Sequence, residues 1–106
     1  GIESPTAVMA LSDEGVQRRQ KIFVSLAPDT VVLKEKSVAI PETTARVIEI
    51  DFKELKIKKP DWALASLGVL AEKDILFSKE ILAFALKSRF SQKVYDLAME
   101  TIEKMY

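Results

Sequence analysis

At 106 residues the chain has room for one domain with a real core, at a size where a partner often completes it. Its 16 basic and 16 acidic residues cancel, so no whole-chain field attracts nucleic acid or an anionic membrane, and neither is expected as a partner. Cysteine and histidine are both absent, which excludes thiol nucleophiles, Ser-His-Asp triads, imidazole ligands and an iron-sulfur cluster held by this chain's own thiolates.

From Thr6, the apolar run Ala7-Val8-Met9-Ala10-Leu11 breaks into Ser12-Asp13-Glu14-Gly15. It reads as a buried strand feeding a helix, because continuous apolarity suits a parallel sheet covered on both faces. Ser12 is a capping residue, and Asp13 and Glu14 complement the dipole of the first turn. A helix over about 13–26 follows, amphipathic through Val16, Ile22, Phe23 and Leu26, and stops before Ala27-Pro28-Asp29. Thr30-Val31-Val32-Leu33 is the second strand, after which Lys34-Glu35-Lys36-Ser37 leaves the core. Val38-Ala39-Ile40 returns briefly as a possible short strand ended by Pro41. Arg46 to Phe52 is the third clear strand, with charges interleaved as on a sheet edge. A basic connector then runs to Lys59.

Every residue of Trp62 to Ala71 except Ser66 is apolar or glycine. Pro60 and the acidic cap Asp61 precede it, so it reads as a helix buried on all sides. The small residues Ala63, Ala65, Ser66 and Gly68 allow close approach of another backbone. Trp62, Leu64, Leu67 and Gly68 are therefore the candidate interface residues. A helix over about 79–89 follows, expected to bury Ile81, Leu82, Ala85, Leu86 and Phe90. The last helix, about 91–106, repeats apolar residues from Val94 to Met105 at helical spacing, with Glu100 and Lys104 as a supportive pair. The fold class is thus α/β: a small, mainly parallel sheet of three to four strands, helices on both faces, and a helical C-terminal half. One domain spans residues 1–106.

Open α/β sheets bind ligands beyond the carboxyl ends of their strands, which singles out Ser12 as a weak cofactor-binding or anion candidate. The simpler reading is a helix cap. No glycine-rich phosphate loop is present. The carboxylate pairs Glu49/Asp51 and Glu100/Glu103, the run Lys56 to Lys59, and Thr43/Thr44 all read as solvated surface or turn chemistry before they read as sites. No catalytic residue and no metal ligand is assigned. Absent disulfides and the lack of any apolar run near the ~20 residues of a membrane span fit a cytoplasmic protein. Absent asparagine with plentiful Lys, Glu, Ile and Leu hints at a thermophile. Gly1 is not an initiator methionine, consistent with a tag remnant or a start inside a longer gene product.

Taken in order, several segments resemble the C-terminal part of the gamma subunit of 2-oxoacid:acceptor oxidoreductases, the pyruvate and 2-oxoglutarate ferredoxin oxidoreductase family. Ala7 to Gly15 is similar to that family's strand running into a Leu-Ser turn and helix. Leu26-Ala27-Pro28-Asp29-Thr30-Val31-Val32 is similar to its turn into the next strand. Ser66-Leu67-Gly68-Val69-Leu70 is similar to its Leu-Gly helix, and Leu86-Lys87-Ser88-Arg89-Phe90 to the segment before its closing helix. The family's glycine-rich N-terminal portion is missing. Its asparagine five residues before the Leu-Gly glycine falls on Ala63, and the asparagine and glycine of its closing helix fall near Ala98 and Met105.

The resemblance implies that the chain is part of a larger gamma-type domain. It further implies a non-catalytic subunit, or fragment of one, in an oligomeric assembly that converts a 2-oxoacid and coenzyme A to acyl-CoA and CO2 and reduces ferredoxin. Thiamine diphosphate, magnesium and iron-sulfur clusters then belong to partner subunits. Two alternatives stand beside this reading. One is a free-standing α/β interaction module that self-associates as a homo-oligomer or binds a small anionic ligand near Ser12. The other is an independent enzyme using Asp13, Glu14 or lysine side chains.

Overall fold

The computed structural model describes residues 7–106. Thr6, where the sequence reading starts its first strand, lies outside the described residues. The fold is α/β, with a three-stranded parallel sheet and a helical C-terminal half. The chain divides into two compact units, residues 1–52 and 53–106.

In the first unit, strands β1 (Ala7–Ala10), β2 (Val31–Glu35) and β3 (Arg46–Ile50) lie side by side in the order β1-β2-β3, all parallel. Ala7 pairs with Val31, and Val31 with Arg46, so corresponding residues of the three strands share a face. β2 is central and every one of its residues is buried, whereas β3 forms an edge, as its interleaved charges foretold. Helices α1 (Asp13–Arg18) and α2 (Gln20–Val24) carry the chain from β1 back to the start of β2. The expected continuous helix over 13–26 is interrupted at Arg19, whose amide bonds to the Val16 carbonyl in a tighter turn. The physical reason lies in Gln17-Arg18-Arg19-Gln20-Lys21, five polar residues that give the junction no buried side chain to hold a regular turn. Pro28, which has no amide hydrogen, then sits inside a turn closed by Thr30 N–H on the Ala27 carbonyl at 2.9 Å.

The return from β2 to β3 uses no helix and no fourth strand. Residues 36–45 run as an irregular crossover whose Val38 and Ala45 are buried, with Ile40 packed against them. They join Ala10, Val16, Phe23, Leu26 and Val32 in one cluster, so the crossover covers the same sheet face as α1 and α2. Burying a side chain such as Phe23 contributes about 1.5–3 kcal/mol, and nothing in the segment needs hydrogen-bonded regularity to do the same.

The second unit holds α3 (Trp62–Glu72), α4 (Lys79–Arg89) and α5 (Gln92–Glu103). Residues Lys59–Asp61 form a single 3-10 turn ahead of α3. Asp61 makes no side-chain capping bond, contrary to expectation, because that turn already continues into the helix with the Asp61 amide on the Lys58 carbonyl. Ser78 and Ser91 do cap, accepting from the amides of Ile81 and Val94. Phe77, just before the Ser78 cap, packs against the cluster that contains Leu82, the arrangement of a hydrophobic staple. That cluster, Ala71, Leu82, Leu86, Ala98 and Ile102, is the core of the unit. Lys79 forms an ion pair with Glu103, and this hydrogen bond chiefly raises the lysine above its ordinary range.

The carboxyl end of α3 is closed by a double hydrogen-bond motif: Ile75 N–H on the Leu70 carbonyl at 2.8 Å and Asp74 N–H on the Ala71 carbonyl at 3.1 Å. This is the Schellman pattern, and it requires a left-handed residue after the cap. Asp74 takes that role at φ 53. Replacing Asp74 with glycine removes the Cβ penalty of that conformation. Asp74→Gly is therefore expected to stabilise the chain by about 0.5–1 kcal/mol in chemical denaturation, while Asp74→Val destabilises it.

Candidate functional site

The carboxyl ends of the parallel strands are where an open α/β sheet offers a ligand site. At the end of β1 the chain passes through Leu11 to Ser12, whose Oγ accepts from the Gly15 amide at 3.0 Å. A Cβ at position 15 would lie 3.0 Å from that same oxygen, which explains the glycine in a first turn. Val8, Ala10, Leu11, Ser12, Arg19 and Phe23 are among the residues bounding a pocket of about 230 Å³ here. Its walls are mostly apolar, the Ser12 hydroxyl is committed to the cap, and α1 is only 6 residues long. The pocket offers a mostly apolar surface with Arg19 among its walls.

The chemistry-bearing cluster lies instead at the ends of β2 and β3. Lys34 and Glu35 were expected to leave the core; the structure buries both, at 9% and 2% exposure. The parallel register sets Lys34 beside Glu49. The Lys34 ammonium donates to Glu49 Oε1 at 3.0 Å and to the carbonyls of Glu35 and Lys36 at 3.1 Å each, which uses its three hydrogens. Glu35 Oε2 accepts from the Ser37 amide at 2.7 Å and from its hydroxyl. Val38 N–H meanwhile bonds the Glu35 carbonyl at 3.0 Å. Lys34 and Glu35 thus hold the reversal of the chain from β2 into the crossover, so the arrangement acts as a clamp. The signal for it was present in the spacing, since Lys34 follows Leu33 in β2 as Glu49 follows Ile48 in β3, but only the register made them neighbours.

The remaining polar candidates take structural parts. Asp51 pairs with the exposed Lys36 at 3.4 Å. Thr44 donates to the Leu26 carbonyl at 3.1 Å, and Thr43 Oγ1 accepts from the Ala45 amide at 3.2 Å. Lys56, Lys58 and Lys59 are exposed around a turn, with Lys56 at φ 59 and Ile57 buried. Among the described residues no group of three acidic, histidine or cysteine side chains is placed to hold a metal ion.

Ser12 lies in the first unit; the four interface candidates lie in the second, and the structure brings three of them together. Leu64 and Leu67, both half-buried, pack from α3 onto the helical core. At Gly68 α3 and α5 approach closely: a Cβ there would stand 3.3 Å from both the Cα and the carbonyl oxygen of Ile102. Trp62 is separate and buried, its indole N–H donating to the Ile57 carbonyl at 2.9 Å. Ser66, the hydroxyl in an otherwise apolar helix, donates to the Trp62 carbonyl at 2.7 Å. Leu64 also lines a groove of about 370 Å³ with Val94, Leu97, Glu100 and Lys104. The packing that was expected all round α3 is relieved at Ala63, which is exposed.

Comparison of the chain with protein-family models, curated proteins and solved structures found no match.

Three mutational outcomes follow from this geometry. Gly68→Leu is expected to cost about 1–3 kcal/mol in urea denaturation through overpacking against Ile102; an unchanged midpoint would show that α3 and α5 do not meet there. Lys34→Met strands a carboxylate and two carbonyls, and should cost about 2 kcal/mol. Lys36→Met, at an exposed pair, should stay within about 0.5 kcal/mol on the same measurement.

Proposed function

We propose that the chain is a non-catalytic gamma-type subunit, or a segment of one, in a 2-oxoacid:acceptor (ferredoxin) oxidoreductase. The observation that carries this reading is the agreement between motif order and element boundaries. Leu11-Ser12 leaves β1 and caps α1. The Ala27-Pro28-Asp29 turn opens onto β2. Ser66-Leu67-Gly68 falls where α3 meets α5, and Leu86 to Phe90 closes α4 immediately before α5. The resembling segments thus coincide with element ends and a helix contact of this chain, which supports the reading.

On this reading the assembly takes a 2-oxoacid and coenzyme A to acyl-CoA and CO2, and the electrons released pass to ferredoxin. The chain completes the assembly and borders the coenzyme A side. Thiamine diphosphate, magnesium and iron-sulfur clusters are groups of the partner subunits. This chain's own donors do not fit them, since it has no cysteine thiolate and no histidine, and among the described residues no acidic cluster. No step of the reaction is assigned to its side chains. A cytoplasmic location accompanies the reading, and no helix of the described residues is long and apolar enough to cross a membrane.

The second reading is a free-standing module that self-associates, favoured by apolar side chains left exposed on α4. Affinity capture of the tagged chain from its native lysate separates the two. Co-purification of larger subunits, with thiamine diphosphate and iron in the eluate, is the expected outcome. Recovery of this chain alone, free of both, would overturn the subunit reading.

A further inference from the structure

Helix α4 was expected to bury Ile81, Ala85 and Phe90 along with Leu82 and Leu86. Only Leu82 and Leu86 are buried. Ile81 is 61% exposed, and Phe84, on the same side one turn later, is 74% exposed. At about 100° per residue, Ile81, Phe84, Ala85 and Ser88 fall within one stripe. Ala85 and Ser88 are small enough to let another helix come close. The Ser88 hydroxyl donates to the Phe84 carbonyl at 2.8 Å, so the one polar side chain of the stripe is already satisfied within the helix and loses little on leaving water.

We propose that a second copy of this chain covers the stripe, α4 packing antiparallel on α4 about a twofold axis near Phe84. The charges beside the stripe select that occupant and that direction. Glu80 and Lys87 lie on the same flank, two turns apart and on opposite sides of Phe84 along the helix. An antiparallel pair sets Glu80 of each copy opposite Lys87 of the other, a self-complementary pattern of the kind an isologous contact requires. In a parallel pair this flank of one copy would face the opposite flank of the other, and Glu80 would not meet Lys87. Lys87 reaches the Tyr95 ring only at 5.9 Å, which leaves its ammonium room for a carboxylate. The two helix dipoles also oppose each other favourably in the antiparallel arrangement. One pair of short helices buries less than the ~1,200 Å² of a standard stable interface, so the dimer is a concentration-dependent one. The inference rests on the self-association reading and deepens it by naming the contact.

Sedimentation equilibrium of the full chain at low salt, from about 10 μM to about 1 mM, tests it. The expected result is a mass that rises toward the dimer. Phe84→Glu should weaken association by at least about tenfold, and Glu80→Lys by a few-fold, both with unchanged circular dichroism. The double variant Glu80→Lys/Lys87→Glu should recover the wild-type constant, because the swapped charges still meet across the twofold. A monomer at every concentration would overturn the proposal. So would a dimer indifferent to both single substitutions, or a double variant no better than Glu80→Lys.

Discussion

A parallel sheet obliges the chain to travel back along the full strand length between neighbours, and the first unit is shaped by that demand. The first return is made by α1 and α2, and the second by an irregular segment that buries Val38, Ile40 and Ala45 on the same face. What a helix would otherwise supply, a stable start to the return, comes from charge. Lys34 holds the carbonyls of Glu35 and Lys36 and the carboxylate of Glu49, while Glu35 holds Ser37. A buried ammonium and a buried carboxylate are tolerated here because, among the described residues, no buried side-chain nitrogen or oxygen lacks a hydrogen-bond partner.

The helical unit solves a different problem, that of packing α3 against α5 with little side-chain volume between them. Gly68 lets the Ile102 backbone approach, and Ser66 hides its hydroxyl on the preceding turn. The Schellman closure at Asp74 then turns the chain into α4 without a glycine, at the cost of a left-handed aspartate. Leu76, at φ 73 and exposed, is the further strained residue of that loop. The unit spends its best packing on α3 and leaves one side of α4 apolar and uncovered.

Several polar groups singled out above are engaged in holding the backbone. Ser12 caps, Glu35 and Lys34 clamp, Thr43 and Thr44 fasten a turn.

Local chemistry was enough to determine much of the fold from the sequence. Continuous apolarity marked β1, a β-branched run marked β2, interleaved charge marked β3 as an edge, and apolar spacing placed α3, α4 and α5 to within a few residues. Those signals lie within one turn or one strand, where backbone hydrogen bonding and burial act on near neighbours. The candidate site was harder, since Ser12 was visible as a cap while the Lys34, Glu35 and Glu49 cluster was not. Tertiary structure alone decided that Lys34 stands beside Glu49, because the pairing depends on strand register. It alone decided that Gly68 meets Ile102, and that Ile81 and Phe84 stay exposed. Helical periodicity says which residues share a face, but whether a neighbour arrives to cover that face depends on residues distant in the chain.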